Sequence, residues 1–195
     1  YFCYSKANIY HQYKEYKKSS HFLKIANDEK LKIQPSDIKE KLNTGEYYRN
    51  LKIGKDIKIE RTTENNIYLF IVGMPRSGST LLESILSLNV GVEDLGEVSF
   101  LEESLQQTED LLEVKNLYSE KVKFINSEKK IFTDKNLFNF LYCPIIFKFF
   151  PNARIIHCSR NPLDNILSIY RTNFLNRSFS SSLKDITDIY IYLSL

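Results

Sequence analysis

The sequence predicts a three-layer α/β domain built on a parallel sheet and preceded by a short helical segment. Three observations predict it. "IYLFIVG", Ile67–Gly73, is a continuous apolar run of β-branched and aromatic residues ending in glycine, which suits a strand buried on both faces of a parallel sheet. "TLLESILSL" follows after a short turn and reads as a helix. "ARIIHC", Ala153–Cys158, repeats the grammar: it reads as a second buried strand, followed by the turn "SRNPLDN" and a helix that opens at Pro162.

Composition fits one such domain with a core and a small appendage. Of 195 residues, 43% are hydrophobic and 26% charged. The net charge of +3 does not by itself argue for a nucleic-acid partner. Cys3, Cys143 and Cys158 form no C-x-x-C pair, and the three histidines lack metal-ligand spacing, so neither a disulfide framework nor a metal site is expected. A reducing compartment, the cytoplasm, fits this cysteine usage. No apolar run reaches the length of a membrane span, and no signal peptide is visible. The chain begins at Tyr1 within helical periodicity and stops inside "DIYIYLSL", which reads as a fragment of a longer protein.

The elements follow in order. Residues 1–32 read as two helices, with Ala7, Tyr10, Ser19, Leu23 and Ala26 spaced as a small–aromatic–small–apolar–small core. This spacing resembles one tetratricopeptide repeat, in which small residues let paired helices approach closely, and a repeat would offer a surface for a protein partner. The ordinary alternative is a helical hairpin, and "YKEYK" replaces the repeat's usual turn residues. Residues 33–66 read as a Lys-rich connector with one helix, begun at Pro35-Ser36-Asp37 where Ser36 or Asp37 can cap it. Residues 67–195 form the α/β domain.

The turn after the first strand carries chemistry. Gly73 and Gly78 have the GxxxxG spacing of a phosphate-cradling loop, giving a P-loop-like fold, and Thr80 supplies a hydroxyl. Ser79 stands where nucleoside-triphosphate loops carry lysine, and Arg76 is the loop's only cation. The backbone amides of Ser77, Gly78, Ser79 and Thr80, with the helix dipole, favour an anion, and a guanidinium can grip two of its oxygens. In the second turn Arg160 stands at a strand end, and Ser168 follows about two helical turns later. A parallel-sheet crevice at that end is where α/β ligands bind. The bland alternatives are a plain glycine turn, a surface cation and a helix filler.

Together, "GMPRSGSTLLESIL" and "RNPLDNILS" resemble the 5′-phosphosulfate loop and the 3′-phosphate motif of PAPS-dependent sulfotransferases. The chain is similar to the bacterial branch that carries tetratricopeptide repeats and, more distantly, to tyrosylprotein sulfotransferases. The resemblance implies PAPS as donor, no metal, and Arg76, Ser77, Gly78, Ser79, Thr80, Arg160 and Ser168 as donor-binding residues. It implies Glu97 in "EDLGEVSF" as general base and Lys135 in "IFTDKN" as the group that steadies charge on the bridging oxygen. The alternatives are a solvated glutamate among Asp94, Glu102 and Glu103, and a salt bridge from Lys135 to Asp134. Asn161 replaces the family's usual Asp, and Asn89 stands where a His is common. The acceptor, whether protein, carbohydrate or small molecule, stays open. So do a P-loop kinase, a nucleotide hydrolase, and a repeat-type interaction module with a degenerate nucleotide fold.

Overall fold

The computed structural model describes residues 2–51, 66–125, 127–175 and 178–194. The described residues form the helices α1 (Phe2–Gln12), α2 (Tyr16–Ile33), α3 (Ile38–Asn50), α4 (Ser79–Leu86), α5 (Phe100–Gln107), α6 (Leu111–Lys123), α7 (Cys143–Phe149), α8 (Pro162–Tyr170) and α9 (Leu183–Ser194). The strands are β1 (Ile67–Gly73), β2 (Val92–Asp94), β3 (Ile131–Asp134) and β4 (Ala153–Cys158). Short 3-10 helices span Leu137–Tyr142 and Ser178–Ser181. The α/β class with a parallel sheet is the one the sequence predicts. Of the expected connector, residues 52–65 lie outside the described residues.

The chain divides into two compact units, Thr44–Ser159 and Tyr1–Asn43 with Arg160–Leu195. The first holds the sheet, ordered β2-β3-β1-β4, with every neighbouring pair parallel. Phe70 stands beside Asp134 in β3 and Gly73 beside Cys158 in β4, so the C-terminal ends of the strands share one edge. β1 is central and buried from Phe70 onward, as a run apolar on both faces requires. Its Tyr68 and Phe70 pack against Tyr118, Phe132 and Phe150 in mostly edge-to-face contacts that favour the ring quadrupoles.

One expectation is corrected. The run "ARIIHC" is not a buried strand: none of its residues is fully buried, and Ile155 is 38% exposed. The reason is topological. β4 pairs with β1 alone among the described strands and lies at the edge of the sheet.

In the second unit α1 and α2 pack against each other. Ala7, Leu23 and Ala26 are buried with Tyr4 in one cluster. Ser19 is buried and donates to the Ala7 carbonyl at 2.8 Å. Tyr10 is half-buried and stacks on Phe22 at 5.5 Å. The buried Asn27 accepts from Tyr4 Oη at 2.6 Å and donates to the Leu23 and Tyr170 carbonyls, tying α2 to the end of α8. Asp37 precedes α3 and exchanges two hydrogen bonds with Ser178, accepting at 2.9 Å and donating its N–H at 3.3 Å.

Candidate functional site

The sheet edge in the Thr44–Ser159 unit is built from loops whose shape the sequence sets. Gly73 ends β1 at φ 143°, and a Cβ there would stand 2.4 Å from the Cys158 carbonyl oxygen, so no side chain fits. Gly78 starts α4 at φ 99° and offers no side chain to cap it. The first intrahelical bond runs from Leu82 N–H to the Gly78 carbonyl, and geometry leaves the preceding amides to an outside acceptor. Arg76 has φ 65°, a left-handed conformation that costs an ordinary residue about 1–2 kcal/mol. The Ser77 hydroxyl is buried with no hydrogen-bond partner among the described residues, which fits a loop shaped to take an anion.

Glu97 and Lys135 are brought together by the neighbouring strands. The β2–β3 ladder continues past both strands: Leu95 N–H donates to the Thr133 carbonyl and Lys135 N–H to the Gly96 carbonyl. The Asp94 side chain accepts from Gly96 N–H at 2.7 Å and bends the chain, and Asn136 holds the Val98 carbonyl at 3.1 Å. These contacts bring Glu97 Oε1 to 3.4 Å from Lys135 Nζ, with the Glu97 side chain 49% exposed and that of Lys135 9%. Glu97 lies before the helix start, since α5 begins at Phe100.

Lys135 does not pair with its neighbour Asp134. Its partners are Glu97 and Glu83, whose Oε2 is 3.3 Å away. Asp134 points into the core, where it accepts from Tyr118 Oη, Asn136 N–H and Asn139 Nδ2. Burial pushes the Asp134 carboxyl up to about 7, against the pull of those three hydrogen bonds. Burial likewise drives the Tyr118 hydroxyl well above its ordinary value.

Glu83 is the residue that sequence reasoning missed. It lies on α4 one turn beyond the loop, is 4% exposed, and accepts from Thr133 Oγ1 at 3.2 Å. Burial pushes its carboxyl up, a hydrogen bond to Asp94 pushes the same way, and the Lys135 ammonium opposes both. Apolar periodicity hid it: the buried positions of α4 are Ser79 and Glu83, one turn apart, while Leu81 and Ile85 face outward.

Arg160 and Ser168 belong to the other compact unit. Arg160 is exposed, and its carbonyl accepts from Tyr190 Oη at 2.8 Å. Ser168 is half-buried on α8, and its carbonyl accepts from Thr172 Oγ1. Asn161 caps α8, accepting from Leu163 and Asp164 N–H at 3.1 and 3.2 Å, with Pro162 at the first helical position. Asn161 therefore supplies the cap of α8.

A model of the sulfotransferase family matches residues 69–116 and 102–193, which together take in more than half of the chain. The chain belongs to the sulfotransferase family. An uncharacterized protein of Aquifex aeolicus (strain VF5) is 35% identical over 54% of this chain. The match takes in 17% of that relative's own length, so the chain spans only a small part of it. No solved structure matches. The family match covers the loop at Gly73–Thr80, Glu83, Glu97, Lys135, Arg160 and Ser168. Among the described residues, no group of His, Cys, Asp and Glu side chains is placed to hold a metal ion, and no helix is long and apolar enough to cross a membrane.

Proposed function

We propose that the chain transfers a sulfuryl group from PAPS to an acceptor hydroxyl or amine. The observation that carries the reading is the pairing of an exposed carboxylate, Glu97, with a shielded ammonium, Lys135, on the sheet edge where the uncapped start of α4 also lies. The loop amides, the Ser77, Ser79 and Thr80 hydroxyls and the Arg76 guanidinium hold the 5′-phosphosulfate. Arg160 and Ser168 hold the 3′-phosphate. Glu97 takes the proton of the acceptor as its oxygen or nitrogen bonds to sulfur. The bond from sulfur to the bridging oxygen breaks, and Lys135 offsets the charge left on that oxygen. The products are the sulfated acceptor and 3′-phosphoadenosine 5′-phosphate. The lysine that a triphosphate loop needs has no task here, because no β,γ-phosphate chain is present.

The α1–α2 hairpin, with its small-residue contact at Ala7 and Ser19, supports reading the N-terminal helices as a repeat that docks a protein partner.

Calorimetry with 3′-phosphoadenosine 5′-phosphate, AMP and ATP tests the donor. Each charge-assisted contact to the 3′-phosphate contributes about 1.5–3 kcal/mol, so the diphosphate should bind at least about tenfold more tightly than AMP. Equal affinity for the two removes Arg160 and Ser168 from the donor site. Tighter binding of ATP with Mg²⁺ favours a kinase or hydrolase.

A further inference from the structure

We propose that Glu83 is a positioning residue, a buried anchor that holds the Lys135 ammonium against the reacting oxygen while Glu97 takes the proton. The inference rests on the roles given to Lys135 and Glu97 above. Lys135 lies between two carboxylates of different exposure: the Glu83 side chain is 5% exposed and that of Glu97 49%. In the proposed step Glu97 becomes neutral and its attraction for Lys135 falls. An ammonium with no other anion would then be free to swing toward the newly formed acid or toward solvent. Glu83 cannot follow Glu97 into that exchange, because it is sealed from solvent and fixed by Thr133 Oγ1 at 3.2 Å. Asp94, within hydrogen-bond reach of Glu83, is the third carboxyl group facing this cluster. Glu83 also rides on α4, so the same side chain links the helix that follows the Gly73–Gly78 loop to the end of β3. Neither its residue type nor its place makes it a group that touches donor or acceptor. It acts through Lys135.

The test uses the full chain with E83Q, E83D, T133V, K135A and the E83Q/K135A double variant. Turnover is measured with radiolabelled PAPS and p-nitrophenol, a tyrosine peptide and a hexosamine as acceptors. E83Q should lower kcat by at least about tenfold, bounded by the roughly 10²–10³-fold expected for removing one charge-stabilising donor, with little change in donor KM. E83D, which keeps the charge, should restore part of that loss, and T133V should show a smaller loss of the same kind. The double variant should be no worse than K135A, because both changes remove one function. Wild-type kcat in E83Q overturns the proposal, as do losses that simply multiply in the double variant. If E83Q fails to fold, E83D and T133V decide: wild-type kcat in both overturns it. A readout without turnover is the ¹⁵N signal of the Lys135 ammonium, assigned by its loss in K135A. An ammonium held in a shielded ion pair exchanges slowly enough to be seen, and E83Q should remove or shift that signal. If the wild-type chain transfers nothing to any acceptor, the sulfotransferase reading is what fails, and the ammonium signal alone decides: unchanged in E83Q, it overturns the anchoring, and lost, it supports it.

Discussion

After β2, β3 and β4 an Asp or Asn side chain turns back onto the backbone that follows, whereas after β1 Gly78 leaves the helix start without one. Asp94 accepts from Gly96 N–H, Asp134 from Asn136 N–H, and Asn161 from Leu163 and Asp164 N–H. Gly78, at the same kind of junction, makes no side-chain cap. The helical turns after β3 and β4 thus carry side-chain caps, from Asn136 and Asn161, while the starts of α4 and α5 carry none, and only that of α4 follows a glycine loop. On the proposed reading this difference divides the labour of binding an anion: at the start of α4 backbone amides would receive it beside the loop's side chains. At the start of α8 the amides are already occupied, and any phosphate held there depends on side chains such as Arg160.

The largest effect is expected from closing the gap that makes the open junction possible. Gly73→Ala adds a methyl 2.4 Å from the Cys158 carbonyl at a φ of 143°. The loss should exceed the about 1–3 kcal/mol of backbone strain alone, and thermal melting will read it. A wild-type melting temperature would show that β1 and β4 can separate without cost.

Next comes the closed junction's dependence on one side chain. Arg160→Ala should weaken 3′-phosphoadenosine 5′-phosphate by about 1.5–3 kcal/mol while AMP affinity hardly changes. Calorimetry showing the same loss for both ligands would place Arg160 outside the 3′-phosphate site.

Removing the cap itself should cost less. Asn161→Ala takes away the acceptor for two amides and should destabilise the fold by about 0.5–2 kcal/mol, with Asn161→Asp close to wild type. Chemical denaturation measures this directly.

Asp134→Asn should give the smallest net change at any one pH, because a gained charge relief offsets weakened hydrogen bonds, yet it alters the pH dependence. Folded Asp134 holds its proton to about pH 7, while an unfolded aspartate releases it near 3.8. The folded state therefore binds more protons across that window, and this group's contribution to stability falls as pH rises from 3.8 to about 7. The variant should lack that decline, and denaturation curves taken between pH 4 and about pH 7.5 would detect an unchanged slope if Asp134 titrates normally.

The parts legible in the sequence were those set by local chemistry. The run Ile67–Gly73 became β1 residue for residue, and Pro162 opened α8. Asp37 stands before α3 as the capping pattern at Pro35–Asp37 suggested. What escaped needed the strand order. "ARIIHC" has the same composition as a central strand, and only the topology puts it at the edge. Glu83 was hidden for a related reason: apolar periodicity favours burying Leu81 and Ile85, and the pull of Lys135 and Thr133 from β3 reverses the face. Lys135 was readable as a strand-end cation, but its partners lie far along the chain at Glu83 and Glu97, and its immediate neighbour Asp134 is committed to the core.

The central place of β1 also constrains how the chain can be made. Its partners are residues 131–134 and 153–158, so both flanks of "IYLFIV" wait until those segments have been synthesised. At about 5–20 residues added per second, the wait lasts for seconds. Throughout it a strand apolar on both faces lacks its native partner strands, in a topology whose distant pairings are slow to close. A nascent chain paused between residues 73 and 131 holds both edges of this strand unpaired with β3 and β4.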